Sequence, residues 1–276
     1  DGKALVAGSN DGSISFWDLV SHEQIGKPLA GKTGEVYDLL FTDNGKTLWT
    51  ANADGTISAW SVSTSQLKGE PFAAHTGPVR SLSLSTDGKI LLSGGDDGKI
   101  TFWDATTMQQ VGESISAHEG SVYGVQFSPN GKVLASAGFD GTVTLWDAVT
   151  HEGIGEPLTG NGKSAYAVGF NPGSSILASG WGNGMVILWD VETRQILCQP
   201  MPGFGNLVTS VAFSSDGNLL AFSDSSGLIH FLKVNPDAWE DDLCQKAGRN
   251  FTPAEWSYFF HEDSYRITCP QWANGE

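Results

Sequence analysis

The sequence contains few cysteines and few basic residues. Its three cysteines, Cys198, Cys244 and Cys269, are too few for a disulfide scaffold and are not spaced as a CxxC metal-binding pair. Lys and Arg number 15 against 31 Asp and Glu, and the formal net charge of −16 repels nucleic-acid phosphates and anionic membrane surfaces. We therefore expect a protein of the reducing cytoplasm that binds neither nucleic acid nor membrane.

Long apolar runs are also lacking. No stretch approaches the roughly 18 apolar residues that a membrane-spanning helix needs. Charged residues make up only 17% of the 276 residues, and 35 residues are Gly. This composition is typical of a globular chain rich in turns and excludes a disordered polyampholyte.

The sequence repeats with a period of 43 residues. The period is marked by Trp17, Trp60, Trp103, Trp146 and Trp189, and a sixth step reaches Leu232. Six residues before each of these positions stands a turn residue followed by Gly: Asp11, Asp54, Asp97, Asp140, Asn183 and Ser226. A second turn signal recurs about ten residues earlier in each copy. Two tight turns predict three consecutive antiparallel strands per copy.

Copy four shows the predicted strands most plainly. They cover Val122–Ser128, Val133–Gly138 and Thr142–Asp147, which are rich in β-branched and aromatic residues, and Gly155–Thr159 fits a short fourth strand. Six groups of four strands do not form a single open sheet. The repeat therefore predicts an all-β protein in which small sheets are stacked radially, with the first and last copies incomplete.

The dipeptide Trp-Asp stands at 17–18, 103–104, 146–147 and 189–190, and Ala-His stands at 74–75 and 117–118. By these motifs residues 1–235 resemble the WD40-repeat β-propeller family. Residue 1 opens a hairpin turn, so copy one begins without its innermost strand. Either residues upstream complete the propeller, which we favour, or the C-terminal tail supplies the missing strand. The resemblance implies that a completed propeller would have seven blades, the commonest number in the family.

The resemblance also implies a buried hydrogen-bonded tetrad in each intact copy. Copies three and four match it fully, with His75, Ser93, Asp97 and Trp103, and with His118, Ser136, Asp140 and Trp146. An indole only donates and a carboxylate only accepts, whereas a hydroxyl and a neutral imidazole do both, so the four groups can form one satisfied chain. We interpret these residues as structural. A catalytic Ser-His-Asp set is disfavoured because the triplet recurs with the period of the fold.

The other copies depart from the tetrad. Copy two has Lys32 at the His position, copy five has Asn161, and copy six has Phe204 there and Phe222 at the Ser position. We predict that its neighbours hold copy six by apolar packing alone.

Residues 26–33 match the phosphate-binding loop pattern G-x-x-x-x-G-K-[ST]. The repeat argues against nucleotide binding there, because the same segment 43 residues later reads as an outer strand. A strand, not the helix that the phosphate site requires, is predicted to follow.

Residues 236–276 lie outside the repeat and carry helix signals. Asn235 with Pro236, and Thr252 with Pro253 and Glu255, predict two helix starts in a tail packed on the propeller. Parts of this tail, with Cys269 among them, are similar to the segment that follows WD40 arrays in large bacterial signalling proteins. We expect Cys244 and Cys269 to be free thiols in a reducing compartment.

The resemblance places partner binding on the narrow face of the propeller. The candidate residues lie five residues after the His position of copies two to six, and they are Tyr37, Arg80, Tyr123, Tyr166 and Thr209. The position just before the turn residue varies and includes Asp96 and Phe139. Tyr and Arg dominate binding hot spots, although Tyr packed between blades is a structural alternative. With Glu35 nearby, the rim is acidic enough to favour a basic segment.

We therefore predict a non-enzymatic interaction module for a protein or peptide, attached to an upstream effector domain in a signalling protein. The alternative is a propeller enzyme with its site in the central channel. Against an enzyme stands the lack of paired catalytic carboxylates off the fold period and of an HExxH motif. No cofactor and no metal ligand set is predicted, since His22, His151, His230 and His261 are scattered.

Overall fold

The computed structural model describes residues 2–31, 34–42, 45–160, 162–198 and 205–234. This part of the chain forms 22 β-strands in six antiparallel sheets. Sheet 1 contains β1 (Ala4–Gly8), β2 (Ser13–Asp18) and β3 (Leu29–Ala30). Sheet 2 contains β4 (Val36–Thr42), β5 (Thr47–Asn52) and β6 (Thr56–Ser61), with β7 (Gln66–Leu67) and β8 (Phe72–Ala73) both paired to β6.

The remaining sheets repeat this order. Sheet 3 contains β9 (Val79–Leu84), β10 (Ile90–Gly95), β11 (Lys99–Asp104) and β12 (Ile115–Ser116). Sheet 4 contains β13 (Val122–Phe127), β14 (Val133–Gly138), β15 (Thr142–Asp147) and β16 (Leu158–Thr159). Sheet 5 contains β17 (Ala165–Phe170), β18 (Ile176–Trp181) and β19 (Val186–Asp190), and sheet 6 contains β20 (Val208–Phe213), β21 (Leu219–Asp224) and β22 (Ile229–Lys233).

The predicted all-β fold is confirmed, and the first three strands of copy four lie where the repeat places them, while its fourth strand covers only Leu158–Thr159 of the predicted Gly155–Thr159. We call β4, β9, β13, β17 and β20 the innermost strands, because each precedes the other strands of its sheet and contacts the innermost strands of neighbouring sheets. β1 corresponds to β5, so sheet 1 lacks an innermost strand among the described residues. The predicted tail and Cys244 and Cys269 lie outside them. Within them, no helix is long and apolar enough to cross a membrane.

Each sheet has two faces that pack differently. We call the face that covers the next sheet along the chain the trailing face, and the face that covers the preceding sheet the leading face. The trailing face of sheet 1 carries Ile14 and that of sheet 2 carries Ile57, whereas the leading face of sheet 2 carries Leu48 and Trp60. Five apolar clusters fill the interfaces between consecutive sheets, so the core is a series of layers between the sheets.

Small residues in the trailing faces set how closely the sheets approach. A Cβ added at Gly8 would lie 2.7 Å from Cγ1 of Val36, and one added at Gly94 would lie 2.8 Å from Cγ1 of Val122. Both glycines therefore admit the first side chain of the next innermost strand. The same position in the intermediate copies is Ala51 and Ala137, both fully buried.

Polar side chains join the innermost strands of neighbouring sheets. Asp38 Oδ2 accepts a hydrogen bond from the backbone N–H of Leu82 at 2.7 Å, and Ser83 Oγ accepts one from Phe127 at 2.9 Å. Gln126 Oε1 likewise accepts a hydrogen bond from the backbone N–H of Phe170 at 2.5 Å. In each case donor and acceptor are 44 residues apart, so these bonds satisfy backbone groups at the open edge of the next innermost strand.

Asp38 is the one acidic member of this set. Part of the Asp38 surface is accessible, but the neighbouring strands enclose its carboxyl group. Burial raises the pKa of Asp38 to about 6, although hydrogen bonds from Leu82, Leu39 and Ser81 act to lower it. A raised pKa means that the folded protein binds this proton more tightly than the unfolded chain does. Asp38 therefore destabilises the fold progressively as pH rises from about 4 to about 6.

The substitution Asp38→Asn tests this effect. The amide oxygen retains an acceptor for Leu82 but does not titrate, so the variant should gain stability relative to the wild type as pH rises from about 4 to 7, by up to about 3 kcal/mol. Urea unfolding of both proteins at a series of pH values measures the difference. Asp87→Asn is the control, because hydrogen bonds from Ser85 and Lys89 lower the pKa of Asp87, so the stability difference between this variant and the wild type should change below about pH 4 and stay nearly constant above it. A pH-independent difference for Asp38→Asn would contradict the assignment.

The structure brings the four residues of each predicted tetrad together. In sheet 3, Trp103 Nε1 donates to Ser93 Oγ at 2.9 Å, His75 Nε2 lies 2.8 Å from the same oxygen, and His75 Nδ1 lies 2.8 Å from Asp97 Oδ1. With the proton on Nδ1, the chain runs from indole to hydroxyl to imidazole to carboxylate with every group satisfied. The tetrad thus ties the third strand to the turn at Asp97.

Sheet 4 repeats the arrangement. Trp146 Nε1 donates to Ser136 Oγ at 2.9 Å, His118 Nε2 lies 2.7 Å from that oxygen, and His118 Nδ1 lies 3.1 Å from Asp140 Oδ2. Burial lowers the pKa of His118 despite the nearby Asp140 carboxylate, which favours the neutral imidazole that this chain needs. An added Cβ at Gly138 would lie 2.2 Å from His118 Nδ1, so the imidazole fits only beside a glycine.

The copies without a full tetrad use a substitute at that glycine position. In sheet 5 Trp181 stands there, fully buried, and its Nε1 donates to Ser179 Oγ at 2.8 Å, while Trp189 Nε1 donates to the same oxygen at 2.7 Å. In sheet 2 Asn52 accepts from Thr50 Oγ1 at 3.0 Å. Lys32, Asn161 and Phe204, at the His position, lie outside the described residues.

Sheet 6 has an acidic substitute at the same position. Asp224 stands at the glycine position, accepts hydrogen bonds from the backbone of Ser226 and Leu228, and lies 3.1 Å from His230 Nε2. Hydrogen bonds from Ser226 and His230 hold the pKa of Asp224 well below its usual range. All of these bonds lie within copy six, so they leave open the prediction that its neighbours hold it by apolar packing alone, and one apolar cluster joins it to sheet 5.

Trp103 and Trp189 provide a matched pair for testing the tetrad. Trp103→Phe should cost about 1–3 kcal/mol, because Ser93 Oγ then loses its indole donor in a fully buried site. Trp189→Phe should cost less, because Trp181 still donates to Ser179. The two indoles are equally buried, at 6% and 4% exposure, so apolar losses cancel in the comparison. Denaturant unfolding measures both, and equal costs would contradict the hydrogen-bond argument.

Candidate functional site

A β-bulge lies at the start of each innermost strand. In sheet 2 the register of paired residues passes from Val36 to Asp38 and skips Tyr37. The same irregularity occurs in the four following sheets, where the skipped residues are Arg80, Tyr123, Tyr166 and Thr209. A bulge leaves its extra residue unpaired and redirects the side chain. All five candidate positions thus owe their orientation to the same local distortion.

The bulge residues of four consecutive sheets form a continuous stack. The Arg80 guanidinium carbon lies 4.2 Å from the ring centroid of Tyr37 and 5.9 Å from that of Tyr123. Tyr123 and Tyr166 are stacked, with centroids 4.5 Å apart and planes 17° from parallel. Arg80 therefore lies between two aromatic rings, each close enough for a cation–π interaction. We call Tyr37, Arg80, Tyr123 and Tyr166 the aromatic stack.

Asp96 fixes the Arg80 side chain. Arg80 Nε and Nη2 donate to the two Asp96 oxygens, each at 2.7 Å, in a bidentate pair. Burial alone would raise the pKa of Asp96, but hydrogen bonds from Arg80 and Ser121 and the guanidinium charge lower it below its usual value. The pair is only partly exposed, and Arg80 keeps one planar orientation across the stack.

The residue before each turn lies beside the bulge residue of its sheet. The backbone N–H of Asp96 donates to Pro78, that of Phe139 to Ser121, and that of Gly182 to Ser164, each at 2.9 Å. The two positions singled out in the sequence are therefore adjacent in the structure. At Gly182 an added Cβ would lie 3.1 Å from Tyr166 Cε2, so this glycine leaves room for the Tyr166 ring.

The outer members of the site remain accessible. Tyr37 is 39% exposed and Phe139 is 57% exposed, while Arg80, Tyr123, Tyr166 and Asp96 are partly buried. Tyr37 Oη donates to Glu35 Oε2 at 2.6 Å, and this bond raises the Tyr37 pKa. Burial beside Tyr123 raises the pKa of Tyr166. The rings contact their neighbours without being fully buried, so the stack is both packed and open on one side.

Sequence reasoning identified these residues but missed how they are joined. Ser121 donates a hydrogen bond to Asp96 and Ser164 donates one to the backbone carbonyl of Phe139, and the repeat pattern marks neither serine. A period of 43 shows which positions are equivalent, but it does not show that Arg80 bridges to residues of the sheets on both sides. The opposite charges of Arg80 and Asp96, 16 residues apart in one copy, were the available signal.

Other candidate sites are not supported by the geometry. The phosphate-loop match at residues 26–33 contains strand β3 (Leu29–Ala30), and the next element is strand β4. In the described part of this segment, no helix N-terminus is therefore present to bind a phosphate. Asp38 has the raised pKa of a candidate catalytic acid, but backbone and Ser81 hydrogen bonds occupy its carboxyl group. Among the described residues, no group of three or more His, Cys, Asp or Glu side chains could hold a metal ion.

Comparison with known families agrees with the repeat. The family model described as WD domain, G-beta repeat matches residues 1–18, 66–104, 109–147, 155–190 and 197–231, which together are more than half of the chain. No curated protein matches the chain. The chain therefore belongs to the WD40-repeat family.

Proposed function

We propose that this protein is a non-enzymatic interaction module, and that the aromatic stack with Asp96 and Phe139 binds a protein or peptide partner. WD40 repeats generally mediate interactions between proteins. The observation that carries the assignment to this surface is the unbroken contact from Tyr37 through Arg80 and Tyr123 to Tyr166.

The stack has the properties of a binding hot spot. Tyr and Arg are the side chains most enriched at such sites, because they offer large contact areas with few mobile torsions. Arg80 is held by Asp96 and by two rings before any partner arrives, so little side-chain entropy is lost on binding. Phe139, more than half exposed beside this rigid surface, provides an apolar anchor.

The charge around the stack favours a basic segment in the partner. Asp11, Asp54, Asp97 and Asp140 stand at the turns of sheets 1 to 4, each directly after the position that Asp96 and Phe139 occupy. Glu35 lies against Tyr37. The whole chain carries a net charge of −16, which attracts cationic peptides over the range of the Debye length.

We also propose a place for the module in the cell. It acts in the reducing cytoplasm as the sensing part of a signalling protein, with an effector domain upstream in the same polypeptide. The low cysteine content, the acidic charge and the similarity of residues 243–252 to the tails of bacterial signalling proteins support this context.

The binding site is tested by selecting peptides from a random library on the wild-type protein. The double variant Tyr123→Ala/Tyr166→Ala should bind the selected peptides at least about 100-fold more weakly, because hot-spot tyrosines commonly contribute about 2 kcal/mol each. Isothermal titration calorimetry measures the affinities, and circular dichroism checks that the variant is folded.

A control double variant removes apolar groups at the opposite end of the strands. Val20→Ala/Val149→Ala truncates two turn residues that are 86% and 85% exposed, and its peptide affinity should equal that of the wild type. If both double variants bind peptides equally well, the aromatic stack is not the binding site.

Salt dependence tests the chemistry of the partner. Selected peptides should be enriched in Lys and Arg, and their association rate should fall as salt rises, because screening removes the attraction to the acidic turns. Stopped-flow fluorescence at several salt concentrations measures the rate. Selection of acidic peptides, or an association rate that does not depend on salt, would contradict the proposed basic segment.

A further inference from the structure

A cavity of about 400 Å³ lies between sheets 3 and 4, at the opposite end of the innermost strands from the aromatic stack. This volume is in the range of pockets that bind small molecules. The turn between β9 and β10 and the equivalent turn between β13 and β14 both contribute residues to its lining. Sheets 3 and 4 each pack against a neighbouring sheet on both sides, so the cavity belongs to the interior of the repeat.

Shorter side chains distinguish this interface from the next one. Val111 and Ala148 line the cavity, and Val111 is 41% exposed. One period later stand Ile154 and Val191, which pack against the apolar cluster between sheets 4 and 5. The smaller pair therefore leaves space that the larger pair fills in the next interface.

Aromatic rings form much of the apolar lining. Phe102, Phe127 and Ile90 line the cavity, and so does His151. The His151 imidazole is stacked on the Phe102 ring, with centroids 3.9 Å apart and planes 6° from parallel. Because aromatic rings pack favourably on one another in stacked or edge-to-face arrangements, this lining favours an aromatic ligand.

A backbone donor in the cavity lacks the partner that its equivalent has. The N–H of Asn130 in sheet 4 donates to Ser174 Oγ of sheet 5 at 3.0 Å. One period earlier the equivalent residues are Asp87 and Gly131, and both line the cavity. Gly131 has no hydroxyl, and the Asp87 N–H has no acceptor among the described residues. A ligand oxygen can therefore take the place that the Ser174 hydroxyl has in the next interface.

The charge in the lining disfavours an anion. Hydrogen bonds from Ser85 and Lys89 lower the pKa of Asp87, so this carboxylate is ionised at neutral pH. The Lys89 ammonium lies 3.7 Å from Asp87 Oδ2, but its side chain is 77% exposed and water screens its charge. None of the described residues that line the cavity is Lys or Arg.

We propose that this cavity binds a small aromatic compound that carries an oxygen acceptor and no negative charge. The ring packs against Phe102, Phe127 and His151, and the oxygen accepts a hydrogen bond from the Asp87 N–H. The site is separate from the aromatic stack, so the two proposals can fail independently.

Three probes of similar size test the ligand chemistry. Tyramine has a phenol oxygen and an ammonium group, phenethylamine lacks the oxygen, and 4-hydroxyphenylacetate has a carboxylate in place of the ammonium group. Tyramine should bind with a Kd of about 1 mM, as expected for so small a ligand. Phenethylamine should bind about 3- to 10-fold more weakly because it loses the hydrogen bond. The anion should bind at least about 10-fold more weakly because it is repelled by Asp87. NMR titration of isotope-labelled protein measures the affinities, and the backbone amide signal of Asp87 should move.

The substitution Gly131→Ser gives this interface the residue that the next one has. Ser174 has a φ of 60° and Gly131 a φ of 69°, so this turn conformation accepts a serine. The added hydroxyl should bond to the Asp87 N–H and weaken tyramine binding at least about 10-fold. The net charge does not change, so non-specific attraction of the cation is the same. Gly217→Ser, at the equivalent turn of sheet 6, is the matched control and should bind tyramine as the wild type does.

A second variant removes space without changing the hydrogen bond. Val111→Ile/Ala148→Val introduces the side chains of the next interface, should also weaken tyramine binding, and keeps the test decisive if Gly131→Ser fails to fold. The proposal is overturned if about 20 mM tyramine leaves the Asp87 signal unmoved, or if either cavity variant, when folded, binds tyramine as tightly as the wild type. It is also overturned if either of the other probes matches tyramine. Peptide binding at the aromatic stack should be the same in Gly131→Ser and the wild type.

Discussion

Burial of one sheet face against the next is the constraint on which this structure depends. A four-stranded sheet from a single copy has apolar side chains on both faces and cannot cover them by itself. One leucine position shows how strictly the repeat meets this need, since it is fully buried in each of sheets 2 to 6: Leu48, Leu91, Leu134, Leu177 and Leu220. The 43-residue period therefore reflects one interface between sheets that is repeated between each pair of consecutive sheets.

Close packing of the faces leaves two kinds of polar group in need of hydrogen-bond partners, and side chains supply partners for both. The free edge of each innermost strand has backbone N–H groups, and Asp38, Ser83 and Gln126 reach across from the preceding sheet to accept from them. A hydroxyl is also buried in the second strand of most sheets. It needs partners of its own because an unsatisfied buried polar group costs about 1–3 kcal/mol. In sheets 3 and 4 the tetrads supply those partners and also fix the turns beside the aromatic stack, and in sheets 2 and 5 Asn52 and Trp181 act as substitutes.

The fold and the intact tetrads could be predicted because they follow from spacing. A Trp, a turn Asp and a Gly at fixed offsets determine strands and turns, and the His position completes the set in sheets 3 and 4. The substitutes could not be predicted in the same way. Trp181 and Asp224 stand where the intact copies have Gly95 and Gly138, and their hydrogen bonds depend on side-chain conformations that spacing does not reveal.

The contacts within the candidate site also could not be predicted from the sequence. Its residues could be named from the repeat, but the bulge that aims them is a feature of register, and register depends on how the first two strands of a sheet pair. Nor does a repeat reveal that Arg80 contacts residues of both neighbouring sheets, because aligning the copies shows which positions are equivalent and not which side chains of adjacent copies touch.

The bulge explains how one strand carries both a constant core and a variable surface. Val79 and Val122 begin their strands fully buried in the interfaces, whereas Arg80 and Tyr123, one residue further, belong to the stack. None of the bulge residues belongs to the apolar clusters between the sheets, and Tyr, Arg and Thr all occur at this position. The stack still requires neighbouring sheets at a constant separation, and that separation is set by the small residues of the trailing faces. The aromatic stack can therefore vary in residue type from sheet to sheet, whereas the spacing between its members is constant.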